Sequence, residues 1–395
     1  MPVYNRIAEF HDEMTEWRRE IHAHPEICFE EVRTAQLVQR KLESWGIEVH
    51  SGIAKTGVVG VLRGQGSGTG SIGLRADMDA LPLLEESDLP YKSTIPGKMH
   101  ACGHDGHTAM LLGAARYLAE TRNFDGSVVF IFQPAEEGGG GAKVMIDEGL
   151  FERFPCDTVW GMHNDPRLPL GAIATRAGGF LAGGDRAYIT IRGRGAHAAR
   201  PHEGIDPVAV GFHLYLGLQL IVSRNINPME QAVVSVCEFH AGTASNVIAE
   251  TAAMSVSIRT FDAKLRAFME ERVRAVCDGI AKTHGCTIDL NYVPGYPPLI
   301  NHVAEASFAA DVAEEVSGAA LVDREGVASM GSEDFAYMLE AKPGAFIRLG
   351  QAAPGKDFGL HHPRYDFNDE ILPVGASYWA TLVERSLPRD AGTIT

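Results

Sequence analysis

The sequence predicts an α/β protein: a large sheet domain with helices on both faces, and a smaller ferredoxin-like domain inserted into it. Over residues 1–180, helical patterns alternate with short β-branched runs, which is typical of a sheet covered by helices. Residues 181–293 have a different order of elements, and the first pattern resumes after a proline cluster, over residues 294–395. A chain of 395 residues is also long for one hydrophobic core. We therefore expect a discontinuous first domain and an inserted second one.

The elements of the first segment are predicted from hydrophobic periodicity and from β-branched runs. In chain order, they are helices up to about residue 23 and over 30–45, strands at 58–62 and 71–75, a helix at 108–121, a strand at 127–132, a helix at 142–148 and a strand at 158–162. Open α/β sheets bind ligands at the carboxyl ends of their strands. Polar side chains that follow these strands are therefore the first candidates for a functional site.

The insert is predicted from helix-start signals and from β-branched runs. Asp206 followed by Pro207 marks the start of one helix, because aspartate caps free backbone N–H groups and proline suits the first helical position. A second helix is expected between Asp262 and Gly285. Strands are expected around these helices, at 186–192, 232–239, 252–260 and 286–292. The resulting β-α-β-β-α-β order is that of a ferredoxin-like domain.

The composition disfavours several classes of partner. The formal net charge of −16 disfavours nucleic acid and anionic membranes, which attract basic surfaces. The six cysteines are scattered and lack the dense spacing of a disulfide-stapled secreted fold. The N-terminal segment carries charges throughout, so neither a signal peptide nor a membrane span is expected there. We therefore expect a cytoplasmic protein that acts on a small molecule.

Two short segments hold side chains that suit a metal ion, HACGHDGH at 100–107 and FQPAEEGGGG at 132–141. The thiolate of Cys102 and the imidazole of His104 suit borderline ions such as Zn, Co, Ni or Mn. Adjacent carboxylates can diverge, so Glu137 can bind metal while Glu136 acts as a base toward water. Taken alone, the first pair equally fits a buried thiol beside a helix-capping histidine. The glutamates alone equally fit the positive end of the following helix.

Other candidate side chains follow predicted strands farther along the chain. His163 ends an apolar strand, and His361 with His362 follows a glycine-bearing loop. Two ions need ligands from several strand ends, and these histidines can supply them. Asp77 and Asp79 also end a strand, where a carboxylate can orient a ligating histidine or an ion. Each residue alone is also explained as an ordinary hydrogen-bonded polar group or a turn residue.

Three features of the insert could contact a substrate. They are His197 with His202 in RGAHAARPH, Asn246 in TASNVIAE and Arg259 in SIRTFD. A fixed guanidinium near the end of a strand can bind a carboxylate through two hydrogen bonds. A solvent-facing charge or an internal salt bridge explains Arg259 equally well.

The motifs together are more specific than any one of them. They are WRREIHAHPEICFEE, LRADMDALP, MHACGHDGHTAM, FQPAEEGGGGA, GMHND, GRGAHAARPH, TASNVIAE, GSEDFAYM and LHHPRYDFNDE. In this order, from about Trp17 to Glu370, the chain resembles the aminoacylase/carboxypeptidase superfamily of metallopeptidases. The most similar branch contains amidohydrolases such as hippurate hydrolase, N-acyl-L-amino-acid amidohydrolases and indoleacetyl-amino-acid hydrolases.

The resemblance implies a catalytic domain with two divalent metal ions and an inserted lid domain that makes the contacts of a homodimer or higher homo-oligomer. The metal ligands that it implies are Cys102, His104, Glu137, His163 and His361. His361 is preferred to His362 because the family pattern is a histidine after leucine, then a variable residue and proline. Many members have a ligating histidine and a later bridging aspartate where this chain has Asp77 and Cys102. The metal could therefore be Zn, Mn, Co or Ni.

The resemblance also implies the roles of other residues and a reaction. Glu136 would be the general acid and base, and His197 would stabilise the oxyanion, often from a partner subunit. Asn246 and Arg259 would contact the substrate. The implied reaction is hydrolysis of the amide bond of an N-acyl or N-aroyl amino acid by a metal-activated water. Alternatives are a dipeptidase or carboxypeptidase, a deacetylase of an N-acetyl amino-acid precursor, and a non-enzymatic metal-dependent binding protein for acylated amino acids.

Overall fold

The computed structural model describes residues 4–356 and 358–389. Before Gly178 the elements are α1 (Asn5–Ala8), α2 (His11–Ala23), α3 (Val32–Ser44), β1 (Glu48–Ile53), β2 (Gly57–Arg63), β3 (Ser71–Asp77), α4 (His104–Thr121), β4 (Ser127–Gln133), α5 (Gly141–Asp147), α6 (Leu150–Arg153), β5 (Thr158–Pro169) and β6 (Ile173–Ala174). Those that follow are β7 (Gly178–Leu181), β8 (Gly183–Arg192), β9 (Ala196–His197), α7 (Pro207–Leu220), β10 (Ala232–Ala241), β11 (Val247–Ile248), β12 (Thr251–Thr260), α8 (Ala263–His284) and β13 (Thr287–Val293). The last are β14 (Leu299–Asn301), α9 (Val303–Ser317), β15 (Val322–Asp323), α10 (Phe335–Ala341), β16 (Gly344–Ala352) and α11 (Leu372–Ser386).

The chain divides into two compact units. The first runs to Gly178 and includes Ile300–Val327 and the chain from Tyr337 onward. The second consists of Gly179–Leu299 and Ala328–Ala336. The insert expected at 181–293 falls within the second unit, which also takes in the proline-rich return segment and a later short segment. The predicted boundaries stay a prediction: a discontinuous first domain of residues 1–180 and 294–395, and a second domain of residues 181–293.

Hydrogen bonds explain why the second unit is larger than the expected insert. In the proline-rich segment, Gly295 N–H donates to Asp185 at 3.0 Å, and Tyr296 carbonyl accepts from Gly184 N–H at 3.0 Å. In the later segment, Ser329 N–H donates to Phe180 carbonyl at 3.0 Å. These contacts join residues that are far apart in sequence, so composition alone does not reveal them.

The first unit contains a mixed eight-stranded sheet with the order β1-β2-β4-β3-β5-β16-β6-β15. Its central pairs, β4 with β3, β3 with β5 and β5 with β16, are parallel, so their carboxyl ends lie at one edge. Helix α4 packs against this sheet and against α2 and α11. Almost every residue of α4 is buried, which explains its weak amphipathic pattern. The α/β class predicted from the sequence is confirmed.

The second unit contains a four-stranded antiparallel sheet with the order β10-β12-β8-β13. Helices α7 and α8 give this unit the order β-α-β-β-α-β. Both helices begin at the predicted caps, because Asp206 accepts from Val208 N–H and Asp262 accepts from Lys264 N–H, each at 2.9 Å. Helix α8 ends at His284, and the following residue, Gly285, has a φ of 64° in the left-handed region.

Among the described residues, no helix is both long enough and apolar enough to cross a bilayer.

Candidate metal centre

The candidate metal centre lies in the first unit, at the edge where the parallel strands end. Its side chains come from the segments after β3 and β4, from β5, from the start of α4 and from the loop between β16 and α11. All five ligands implied by the family resemblance belong to these segments. Among the groups of three side chains whose ligand atoms lie within 4.8 Å of one another, three contain two or more of the implied ligands: Cys102 with His104 and His163, Cys102 with Glu137 and His361, and His104 with Glu136 and Glu137. Two further groups are Asp77 with His104 and His107, and Glu136 with Glu333 and Asp334.

Helix α4 begins at His104, rather than at Thr108 as predicted. Cys102 therefore precedes the helix, whereas His104 lies in its first turn, which corrects the expectation, implied by a helix start at residue 108, that both precede the helix. Gly103 makes the early start possible with a φ of 93°. A Cβ atom at Gly103 would lie only 2.5 Å from Asn164 Oδ1 and 2.8 Å from Tyr365 Oη. Glycine is thus required by both conformation and space.

Asp79 joins the two opening motifs of the site. Its carboxylate accepts from Glu136 N–H at 3.0 Å and from Glu137 N–H at 2.9 Å. His104 Nδ1 lies 2.9 Å from the Asp79 carbonyl oxygen, which fixes the imidazole so that Nε2 faces the cluster. The predicted orienting role fits Asp79, because this residue contacts His104 and also holds the backbone of Glu136 and Glu137.

His163 lies inside β5, which continues to Pro169 rather than ending at Met162 as predicted. Its Nδ1–H donates to the Asn164 carbonyl at 2.7 Å, which leaves Nε2 without a proton and 3.3 Å from Cys102 Sγ. The histidine therefore presents the unprotonated nitrogen that a metal requires.

His361 and His362 have different environments. His361 has a φ of 62°, and its N–H donates to the Ala101 carbonyl at 2.8 Å, next to the loop that carries Cys102. Its Nε2 lies 3.0 Å from Glu137 Oε1. The His362 ring instead stacks on Phe358, with ring centroids 4.3 Å apart. Of the two, His361 is the one that adjoins the other ligand side chains.

Sequence reasoning missed His107. His107 Nδ1 lies 2.6 Å from Asp77 Oδ1, and Nε2 lies 2.7 Å from Asn164 Oδ1. Asp77 also accepts from Arg75 Nη1 at 2.8 Å and lies 3.6 Å from His104 Nε2. The signal was present, because His104 and His107 are three residues apart and share one face of a helix. His107 and Asp77 thus link β3, α4 and β5 beneath the cluster.

Two buried polar atoms in this cluster fit a bound cation. His104 Nε2 and Glu137 Oε1 are buried, and neither makes a hydrogen bond of acceptable geometry, although His361 lies near the second. A buried polar atom without a partner costs folding free energy. A divalent cation would provide a partner for both atoms, and thiolate, imidazole and carboxylate together suit Zn, Co, Ni or Mn.

The electrostatics of the cluster also suit a cation. Burial, together with the charges of Glu137 and Glu136, raises the pKa of the Cys102 thiol well above its usual value. Burial also opposes ionisation of Glu137, but the nearby imidazole of His361 and the charge of His104 lower its pKa. The cluster therefore concentrates negative charge, and a divalent cation would favour the thiolate form of Cys102.

The two histidines nearest Cys102 have opposite pKa shifts. Burial opposes protonation of His104, but the carboxylates of Asp77 and Asp79 outweigh burial and raise its pKa to about 10. Burial and the neighbouring His107 keep the pKa of His163 well below its usual value. His163 is therefore ready to bind a cation, whereas His104 has to release a proton first.

The candidate substrate residues lie in the second unit. His197 pairs with Val247 where β9 meets β11, and Asn246 carbonyl accepts from Ala198 N–H at 3.0 Å, so His197 and Asn246 are neighbours. His197 is exposed. Arg259 is half-buried in β12, and its Nη1 donates to Ser332 Oγ at 3.0 Å. The roles of His197, Asn246 and Arg259 toward a substrate stay predictions.

The comparison with protein families identifies the chain. A family model described as peptidase family M20/M25/M40 matches residues 73–385, which is well over half of the chain. The chain belongs to peptidase family M20/M25/M40. The family resemblance predicted from the motifs is confirmed.

Relatives and a solved structure of this M20 family member cover nearly its whole length. Hippurate hydrolase of Campylobacter jejuni is 43% identical over 98% of this chain and 100% of its own length. N-acetylcysteine deacetylase of Bacillus subtilis is 39% identical over 94% of this chain and 96% of its own. The crystal structure of a Bacillus subtilis protein, described as a dinuclear metal binding peptidase from the M20 family, superposes with a TM-score of 0.83 at 35% identity and covers 96% of this chain and 99% of that chain.

Proposed function

We propose that this protein is a metal-dependent amidohydrolase that cleaves the amide bond of N-acyl or N-aroyl amino acids. The products are a carboxylic acid and a free amino acid. The observation that supports this most directly is the meeting of five metal-type ligand side chains with Glu136 in one cluster. The similarity to a hippurate hydrolase and to an N-acetylcysteine deacetylase supports the substrate class, because both names describe hydrolysis of an N-acyl amino acid.

The ligands are proposed to hold two divalent ions. One ion is assigned to Cys102 with His104 and His163, and the other to Cys102 with Glu137 and His361. The similarity to a dinuclear metal binding peptidase supports the number of ions. When bound, such ions polarise a carbonyl group and lower the pKa of a water molecule. Zn, Mn, Co and Ni all remain candidates for the native metal.

Glu136 is proposed to move the proton in this reaction. Its side chain is buried, and its Oε2 lies 4.0 Å from His104 Nε2, at the border of the ligand cluster. A carboxylate in this place can accept a proton from the attacking water and pass it to the leaving amide nitrogen. The backbone N–H of Glu136 donates to the Asp79 carboxylate, and this hydrogen bond keeps Glu136 in place. Glu137 is held in the same way but contacts His361.

The second unit is proposed to act as a lid that recognises the substrate. Arg259 and Asn246 would bind its carboxylate and amide groups, and His197 would donate a hydrogen bond to the developing oxyanion. His197 could do so within one chain or from a second copy. The exposed position of His197 leaves its imidazole accessible for such a contact.

We also propose that the protein forms a homodimer through the second unit. The outer face of α7 exposes large apolar side chains, and these are Phe212, Tyr215, Leu216 and Leu220. Contiguous exposed apolar side chains of this kind mark an interaction surface. Strand β10 is an edge of the antiparallel sheet, so its free backbone groups can pair with a second copy. A cytoplasmic location stays a proposal and is supported by the absence of a disulfide at the described residues Cys102, Cys156, Cys237, Cys277 and Cys286.

A substrate screen tests the proposed function. The purified protein is loaded separately with Mn, Zn, Co and Ni and assayed with hippurate, N-acetyl amino acids and dipeptides. We expect turnover of N-aroyl or N-acyl amino acids that depends on added metal and is lost with a chelator. Turnover of dipeptides alone would favour a dipeptidase or carboxypeptidase. Binding of acylated amino acids without turnover under any metal would favour a binding protein.

A further inference from the structure

We propose that Glu31 is a positioning residue that holds the turn carrying Glu136 and Glu137 in its working orientation. Glu31 belongs to the sequence FEE in the N-terminal segment, far from the metal-type motifs. The inference rests on the proposed function, because it gives Glu31 a task in the reaction of that site. Glu31 acts through the turn and not on the substrate.

The turn after β4 has an unusual backbone that needs support. Ala135 has a φ of 58°, in the left-handed region that residues with a Cβ atom avoid. Gly138 and Gly140 also have positive φ values, of 101° and 64°. Gly141 N–H closes the turn by donating to the Ala135 carbonyl at 3.1 Å. A backbone of this kind persists only where its surroundings hold it firmly.

Three consecutive backbone N–H groups of this turn donate to two buried carboxylates. Ala135 N–H donates to Glu31 Oε1 at 3.0 Å. Glu136 N–H and Glu137 N–H donate to the two oxygens of Asp79, at 3.0 and 2.9 Å. Glu31 thus fixes the residue immediately before the two glutamates, and Asp79 fixes the glutamates themselves.

The Glu31 side chain is itself firmly held. It is fully buried, its Oε1 also accepts from Phe29 N–H at 3.0 Å, and its Oε2 accepts from Thr56 Oγ1. Residues next to Glu31 pack on the same turn, because a Cβ atom at Gly139 would lie 2.4 Å from Cys28 Sγ and 2.9 Å from Phe29 Cε2. The N-terminal segment therefore supports the turn by a hydrogen bond and by close packing.

The consequence for the reaction follows from geometry. Proton transfer needs the carboxylate within hydrogen-bond reach of the water and of the leaving nitrogen. A displacement of about 1 Å at a reacting group can lower the rate by about a hundredfold. A shift of Ala135 would move Glu136 and Glu137 together, so it would affect proton transfer and metal binding at once.

The test compares substitutions of Glu31 with a matched control on the same segment. Glu31→Asp keeps the charge but withdraws the acceptor from Ala135, and Glu31→Gln keeps the acceptor but removes the charge. The control is Glu26→Ala, because the Glu26 side chain also accepts two backbone N–H groups, those of Arg33 and Thr34, each at 2.9 Å. Those hydrogen bonds lie at the start of α3 and not at the turn.

We expect Glu31→Asp to weaken Mn²⁺ binding about tenfold, which is the effect usual for a residue that orients a ligand. Chelator competition measures this affinity. Hydrogen exchange, followed by mass spectrometry on peptides covering residues 134–141, should become faster in the same variant. In the active enzyme, kcat should fall while KM changes little. Glu31→Gln should have nearly the Mn²⁺ affinity and hydrogen-exchange rate of the wild type. Glu26→Ala should equal the wild type in Mn²⁺ affinity and in hydrogen exchange at residues 134–141.

Two results would overturn the role of Glu31. One is a Glu31→Asp variant that keeps both the hydrogen-exchange rate of the wild type at residues 134–141 and the Mn²⁺ affinity of the wild type. The other is a Glu31→Gln variant as impaired as Glu31→Asp, because charge and not the acceptor position would then matter. Failure of the proposed function is separate: a wild-type protein that hydrolyses no N-acyl amino acid would refute that function, while exchange at 134–141 would still report on Glu31.

Discussion

At the scale of single residues, two adjacent glutamates have different surroundings although they share one turn. Glu137 Oε1 lies 3.0 Å from His361, whereas Glu136 Oε2 lies 4.0 Å from His104. Both are anchored by Asp79, so the difference arises from the direction of each side chain and not from the backbone. This division supports the proposal that one carboxylate binds a cation while its neighbour moves a proton.

Substitution of each glutamate should therefore give a different defect. We expect Glu136→Gln to retain metal and to lower kcat by about 10²–10⁴-fold, because it removes the proton acceptor. Glu137→Gln should instead lose metal affinity, because it removes a charged ligand. Metal content by atomic emission and steady-state kinetics measure the two effects. A Glu136→Gln enzyme with bound metal and wild-type turnover would refute the role of Glu136.

Gly103 allows a second prediction at this scale. Gly103→Ala should destabilise the protein by about 1–3 kcal/mol, because the added methyl group overlaps Asn164 and Tyr365. Gly97→Ala is the control, since Gly97 also has a positive φ, of 80°, but no atom lies within 4 Å of the added Cβ. Urea unfolding measures both variants. Equal losses would mean that backbone strain, and not the overlap, makes glycine necessary at position 103.

At the scale of elements, α2 and α4 are joined by buried charges behind the ligand loop. His22 Nδ1 lies 2.8 Å from Asp105 Oδ2, and Arg18 Nη1 lies 3.6 Å from the same oxygen. Burial opposes protonation of His22, but hydrogen bonds to Asp105 and Glu85 outweigh it and raise the pKa of His22 to about 9. Protonated His22 therefore helps to hold α2 against α4.

This pairing should make stability depend on pH. Because the pKa of His22 is higher in the folded state than its usual 6.5, its contribution is complete below about pH 6.5 and is lost as pH rises to about 9. The free energy of unfolding should fall by on the order of 1 kcal/mol per pH unit in this window. Urea unfolding at several pH values measures the slope. The His22→Gln variant is the control and should have the smaller slope. The difference between the two slopes is the contribution of His22, because other titrating groups affect both proteins equally.

At the scale of the whole molecule, each unit has its own hydrophobic core and a separate proposed task. The first holds the metal-type ligands on a mixed sheet, and the second presents an apolar helix face. The core of the second unit lies between its antiparallel sheet and the inner faces of α7 and α8. The outer face of α7 is therefore available for contact with another molecule.

The homodimer proposal can be tested on α7. We expect Leu216→Glu to shift the protein toward monomer, because Leu216 is 59% exposed in the centre of the apolar face and a charge there opposes burial. Val303→Glu is the control, since Val303 is 74% exposed on α9 in the first unit. Sedimentation velocity measures the mass of each variant. A Leu216→Glu variant with the mass of the wild type would contradict this interface.

Removal of metal should lower the stability of the whole molecule. A ligand that binds only the folded state stabilises it by about 2.7 kcal/mol at a hundred times its Kd. Chelation should therefore lower Tm by several degrees, and added Mn²⁺ or Zn²⁺ should restore it. Differential scanning calorimetry measures the change, with Glu137→Gln as the variant that should respond least. An unchanged Tm in the wild type would argue against metal binding at this cluster.

Much of this protein follows from the sequence alone. Local periodicity and capping residues gave the α/β class, the start of α7 at Asp206 and the end of α8 before Gly285, because these signals act between residues close in the chain. The chemistry of the side chains also pointed to Cys102, His104 and the glutamate pair. Their types suit a divalent cation in any fold that brings them together.

Tertiary packing decided the rest. It started α4 at His104, brought His361, which the family pattern had favoured, next to Glu137, and gave His107 its partners. It also joined Glu31 to Ala135 across 104 residues of sequence. Such contacts depend on how distant segments pack, and neither periodicity nor spacing records that. The sequence by itself therefore determined which chemistry is present, and only the tertiary structure decided which side chains meet to perform it.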